Sequence, residues 1–137
     1  HFTGRDGLVL ATAKDMIKEA YEGFAARFSV DRDFQAAVTA LMETLTDHYE
    51  AAVHIIDSPV HSQLDQEVVR IMLPTMREEL RTRATGWNDA DEQLLDDMAK
   101  FYIAGCQHLL EEGVREGATP DEIGRRIELV RRVLIRD

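Results

Sequence analysis

Apolar residues recur at helical spacing along almost the whole chain, and the strict alternation of a half-buried strand is nowhere sustained, so the pattern predicts an all-α bundle of five to six helices. A first helix starts at Thr3 or Asp6, either of which can cap it. It carries Leu10, Ala13, Ile17, Ala20, Tyr21, Phe24 and Phe28 on one stripe and ends near Ser29. Asp31 or Asp33 opens a second stretch with Phe34, Val38, Leu41, Met42, Leu45, Tyr49, Ala52, Val53 and Ile56 inward. It admits an interruption near Asp47 or His48 and stops at Asp57-Ser58-Pro59, because a residue before proline is pushed out of the α region.

A third helix is expected from Ser62 to Ala84, with Leu64, Val68, Ile71, Met72, Thr75, Met76 and Leu80 inward. Pro74 falls in its middle and removes a backbone hydrogen bond, which predicts a kink. After a connection at Thr85-Gly86-Trp87-Asn88, Asn88 or Asp89 caps a fourth helix reaching Gly113 or Glu116. That helix has one apolar row at Leu94, Met98, Phe101, Tyr102, Gly105 and Leu109 and another at Leu95, Ala99, Ile103, Cys106 and Leu110. Two rows imply two packing partners. Thr119-Pro120-Asp121-Glu122 is a strong helix start: a cap, proline at the first position, then acids in the first turn. The last helix sets Ile123, Ile127, Val130 and Leu134 on one side and turns Leu129 and Val133 away, so an apolar face is left over.

The 137 residues suit one domain, and no repeat or Pro/Gly/Ser linker divides them. With 45% hydrophobic and 31% charged residues the chain should fold and stay soluble, since its apolar residues lie in stripes too short to cross a bilayer. One cysteine, Cys106, and the lack of a signal-peptide pattern fit a reducing cytoplasm. A net charge of −10 argues against this chain gripping phosphates by itself. The charge is uneven: residues 86–117 carry eight acids against two bases, whereas 119–137 carry five arginines against four acids, a split that favours contact between the two segments.

Catalytic chemistry is not indicated. A di-iron bundle needs Glu three residues before His, but His48, His54, His61 and His108 follow Leu45, Ala51, Ser58 and Gly105. Glu50 and His54 stand four apart on one helix face, an incomplete metal shell. No phosphate loop, dinucleotide fingerprint, zinc-protease or nucleophile-elbow motif occurs. Gly113-x-x-x-Gly117 reads as a helix end, and Cys106, on an apolar row without a nearby base, reads as a small core residue. The expectation is a non-enzyme without cofactor or bound metal. Met42, Met72, Met76 and Met98 fall on inward faces with Phe24, Tyr49, Phe101 and Tyr102. Beside Pro74 this set suits a pocket for a small apolar effector, with Tyr49, Tyr102, His48 and His108 as orienting polar groups. Ordinary core filling is the plainer account of any one of them.

The opening His1-Phe2-Thr3-Gly4-Arg5-Asp6-Gly7-Leu8-Val9-Leu10-Ala11 resembles the junction in TetR-family transcription regulators where the recognition helix ends in a Tyr-x-His-Phe-like run before a turn, a charged pair and a long helix. Of that run, His1 and Phe2 are present. The layout of amphipathic helices around a proline-interrupted middle is similar as well. The resemblance implies a DNA-binding helix-turn-helix head ending at residues 1–3, an effector-binding and dimerisation domain over 4–137, and DNA contact only through that head. It further implies a homodimer in which the last two helices pair with their symmetry mates as a four-helix bundle, with Ile103, Cys106, Leu110, Ile127, Val130 and Leu134 at the interface. The function the resemblance implies is a repressor responding to a small apolar effector; release by the effector is the family's usual direction, and the residues themselves do not fix the sign. A helical protein-interaction domain without a small ligand is the alternative, and a continuous cavity around Met72, Met76 and Phe101 would speak against it.

Overall fold

The computed structural model describes residues 4–59, 61–83 and 92–134, leaving aside the side chains of 4–10, 13, 49–51 and 83. The 84–91 connection, its capping residue and the Thr3 cap thus lie outside the described residues, as do residues 1–3. Six helices follow one another among the described residues: α1 Gly4–Asp31, α2 Phe34–Asp47, α3 Tyr49–Ile56, α4 His61–Arg83, α5 Glu92–Glu116 and α6 Pro120–Leu134. The fold is all-α. None of these helices is long and apolar enough to cross a membrane.

Local chemistry sets the breaks. Asp33 caps α2 by accepting from the Ala36 N–H at 3.0 Å. The interruption expected near Asp47 or His48 is at His48, whose N–H turns back to the Leu45 carbonyl at 3.2 Å. Helix α5 closes on Gly117 at φ +71°: the Gly117 N–H donates to the Val114 carbonyl and the Ala118 N–H to Gly113. This is a Schellman end, which needs a left-handed residue. Thr119 then caps α6 by accepting from the Glu122 N–H at 3.2 Å. Helix α1 also ends left-handed, but on Arg32, at φ 58°. Its guanidinium, 4.9 Å over the Phe28 ring, and its ion pair with Glu79 at 3.1 Å offset the backbone cost. Pro74 stands on the exposed side of α4, which continues past it to Arg83.

Five helices form a ring in the order α1, α4, α5, α6, α2 and back to α1, with α3 packed on α1, α2 and α5. Inside lies one core that draws on every helix. At its centre Phe24, Phe28 and Phe34 meet edge to face or stacked at 5.5–6.1 Å, and Tyr102 stacks on Phe34 at 6.0 Å. Two glycines permit close helix approach: a Cβ on Gly113 would lie 2.3 Å from Ile123 Cδ1, and one on Gly124 would lie 2.3 Å from Thr39 Oγ1.

Candidate functional site

Two adjoining cavities of about 30 Å³ each lie within the ring and share Tyr21, Val68, Gln107 and Leu110 among their walls. The inner one is apolar, walled by Phe24, Phe34, Met72, Met76, Ile103, Cys106 and Ile127. The outer one lies between α1, α3, α4 and α5 and reaches His61, Asp65 and Glu111. Each holds little more than a water molecule or two as it stands, far below the volume of a bound effector.

A polar chain runs along the outer cavity. The Tyr21 hydroxyl of α1 donates to Gln107 Oε1 of α5, and Gln107 Nε2 donates to Glu111 Oε1 at 3.2 Å. His61 Nε2, on the first residue of α4, meets that same Glu111 oxygen at 2.6 Å and Asp65 Oδ1 at 3.4 Å. Three helices are laced together by five side chains. Burial, reinforced by the Glu111 charge, pushes the Tyr21 phenol above its ordinary pKa. The same two causes, in the same order, push the Asp65 carboxyl up. Outside this cluster, Val69, Ala104 and His108 extend a surface groove of about 240 Å³.

The sequence expectations fall into three groups. Phe24, Met72 and Met76 line the inner cavity, as inward faces of α1 and α4 require. Met42 is fully buried in the core away from both cavities, and Tyr102 is buried with its hydroxyl lacking a hydrogen-bond partner among the described residues. Met98 and Phe101 are corrected: they lie on the outer side of α5, Phe101 with 82% of its surface exposed. Tyr49 has its side chain outside the description. His48 and His108 are exposed, His108 pairing with Glu112 at 2.8 Å, and the polar side chains that reach the outer cavity are instead Tyr21, His61, Asp65, Gln107 and Glu111.

The interface residues need a similar correction. Ile103, Leu110 and Ile127 are 5%, 4% and 1% exposed and belong to the core of a single chain, with Cys106 half-buried beside them. The two rows foreseen on α5 exist with their roles exchanged: the Leu95 row faces inward, joined by Tyr102, and Leu94, Met98 and Phe101 face out. On α6 the inward row is Ile123, Ile127 and Arg131, which leaves Leu129, Val130, Val133 and Leu134 exposed. Of the six residues named for the interface, Val130 and Leu134 are the two on the outer face.

Asp65, Gln107 and Glu111 are the residues of this cluster that the sequence did not single out. His61 and Asp65 carry the four-residue spacing of a helical ligand pair, but Glu111 lies 50 positions away and only the α4–α5 packing brings it in. No family model, curated protein or solved structure matches the chain.

Proposed function

We propose that this chain is the effector-binding and dimerisation domain of a TetR-like transcription regulator, in which a small apolar molecule binds by widening the two adjoining cavities, each about 30 Å³ without it. One observation carries the reading: α5 has its inner row on the cavities, through Ile103, Cys106 and Leu110, and an outer apolar row of Leu94, Met98 and Phe101. A helix so placed passes a change in cavity volume directly to whatever covers its other side. An effector enters by parting α1 from α5, which costs the Tyr21–Gln107 hydrogen bond, and thereby favours one of two arrangements of the domain.

The cover is a second copy. The outer row of α5 and the exposed Val130, Val133 and Leu134 of α6 supply the apolar surface, and the charges complement one another. Leaving aside the largely buried Glu111 and the buried Glu128 and Arg131, α5 has five acids against two bases, while α6 has three arginines against two acids. A two-fold axis that sets α5 on the partner's α6 pairs acidic with basic and uses the same patch twice. DNA contact belongs to a helix-turn-helix segment outside these residues, consistent with the net charge of −10.

Native mass spectrometry of the purified protein tests the reading. A dimer carrying a small apolar mass is expected. A monomer without bound ligand overturns it and moves the assignment to a helical protein-interaction domain.

A further inference from the structure

We propose that His61 Nε2, Asp65 Oδ1 and a Glu111 carboxylate oxygen form a binding site for one divalent first-row transition-metal ion, joining α4 to α5 above the outer cavity. The inference concerns these side chains alone and holds whether or not the domain is a regulator. The three candidate ligand atoms already lie within 4.8 Å of one another. Around an ion bound at about 2.0–2.2 Å by nitrogen and oxygen, neighbouring ligand atoms stand about 3–3.5 Å apart. His61 and Asp65 match that spacing at 3.4 Å, and their four-residue separation on α4 keeps both on one face. His61 and Glu111, at 2.6 Å, share a hydrogen bond that the ion would replace, and a turn of the carboxylate opens the gap.

Charge and surroundings favour a cation here. Two carboxylates converge on a single imidazole, so with the ring neutral the cluster carries two uncompensated negative charges. Glu111 is largely buried, with 12% of its side chain exposed, and is oriented from behind by Gln107, which Tyr21 holds in turn. Such outer-shell support is typical of ligands that must keep one orientation. The groove outside offers about 240 Å³ for the water molecules that would complete the shell. The donor set selects the ion: an imidazole nitrogen suits zinc, cobalt, nickel or iron better than calcium or magnesium, and the two carboxylates disfavour the soft cuprous ion. His108 and Glu112 make a useful contrast, since they pair at 2.8 Å on the exposed side of α5 with no third ligand grouped with them among the described residues.

The test is titration of chelator-treated protein with cobalt(II) chloride, followed by visible absorption and by displacement with zinc chloride. One cobalt ion per chain is expected, displaced stoichiometrically by zinc. Glu111→Gln and His61→Gln, each close in shape to the original, should weaken binding by at least roughly 100-fold, and Gln107→Leu by roughly 10-fold. His54→Gln, on the exposed side of α3 and away from the groove, should leave it unchanged. Circular dichroism identifies any variant that fails to fold, and the remaining ligand variant then decides. Absence of saturable one-to-one binding, or equal weakening by His54→Gln and Glu111→Gln, overturns the site.

Discussion

Glu79 of α4 and Arg131 of α6 stand 52 residues apart in the chain and meet at 2.8 Å, both buried. Arg131 also reaches Glu128 at 3.1 Å and lies over the Phe34 ring at 5.3 Å, while Arg32 reaches the other Glu79 oxygen at 3.1 Å. The pair ties α6 across the ring to α4. Removing Arg131 takes from the buried Glu79 carboxylate its one fully buried cation among the described residues and leaves it facing the half-exposed Arg32. Arg131→Ala should cost about 3–5 kcal/mol. Arg132→Ala should cost less than about 1 kcal/mol, because Arg132 meets Glu128 at the same 3.1 Å but is 65% exposed. Urea unfolding of the two variants checks this, and equal losses would contradict the buried character of Arg131.

Helix approach at Gly124 is the next measurable feature. Alanine there gains about 1 kcal/mol of helix propensity but drives its Cβ to 2.3 Å from Thr39 Oγ1 and 3.3 Å from the Gln35 carbonyl. The clash should prevail, with a net loss of about 1–2 kcal/mol. Gly23→Ala, whose added carbon meets no atom within 4 Å beyond its chain neighbours and its own helix backbone, should instead stabilise by about 0.5–1 kcal/mol. Thermal melting of the two alanine variants should move in opposite directions.

Phe101 separates folding from assembly. Its ring is 82% exposed on the single chain, so Phe101→Ser should leave the helical content and unfolding midpoint of the monomer within about 0.5 kcal/mol of the original. The same change should raise the dimer dissociation constant at least roughly 30-fold, as loss of a central aromatic anchor does. Ile127→Ala, at a position 1% exposed, should destabilise the fold by about 2–4 kcal/mol. Sedimentation equilibrium with denaturation distinguishes the two effects; an unchanged dimer in Phe101→Ser would remove this face from the assembly.

The two buried tyrosines should behave differently. Tyr102 has a hydroxyl without a hydrogen-bond partner among the described residues, so Tyr102→Phe should be neutral or stabilising by up to about 1 kcal/mol. Tyr21 donates to Gln107, and Tyr21→Phe should cost about 1–2 kcal/mol by leaving that amide oxygen unpaired. Chemical denaturation of both variants reads the difference directly.

Cys106 should be an inert thiol. Desolvation by burial pushes it up to about 12, so the neutral form persists through the alkaline range in which an exposed cysteine ionises. At pH 8 its alkylation by iodoacetamide should run roughly 1000-fold slower than that of a free thiol. Its rate should keep rising about tenfold per pH unit well above pH 9. A plateau near pH 9 would mean that the thiol is solvated.

Most of the helix plan was legible because it depends on short-range chemistry. The Thr119-Pro120 start of α6, the Asp33 cap and the glycine end of α5 each act within one turn, and they stand where the pattern put them. The break at His48 was legible for the same reason. Face assignment on α5 was less so. With apolar residues on both sides of that helix, nothing local says which row meets the core, and the inward face expected for Met98 and Phe101 is the outer one.

Arg131 was read with the basic residues of the last helix, yet it is buried while Leu129 and Val130 beside it are exposed. Its partner Glu79 comes from another helix, and hydropathy cannot anticipate a charge that another element will neutralise. Glu111 is a similar case: only the seating of α5 on α4 gives it His61 and Asp65 for neighbours. The sequence by itself determined the all-α class, the helix starts and stops and the presence of two apolar rows on α5, because propensity, capping and periodicity act within a few residues. Which row turns inward, which charges are buried and which carboxylate joins His61 were decided only by the tertiary structure, since those outcomes depend on how helices far apart in the chain are set against one another.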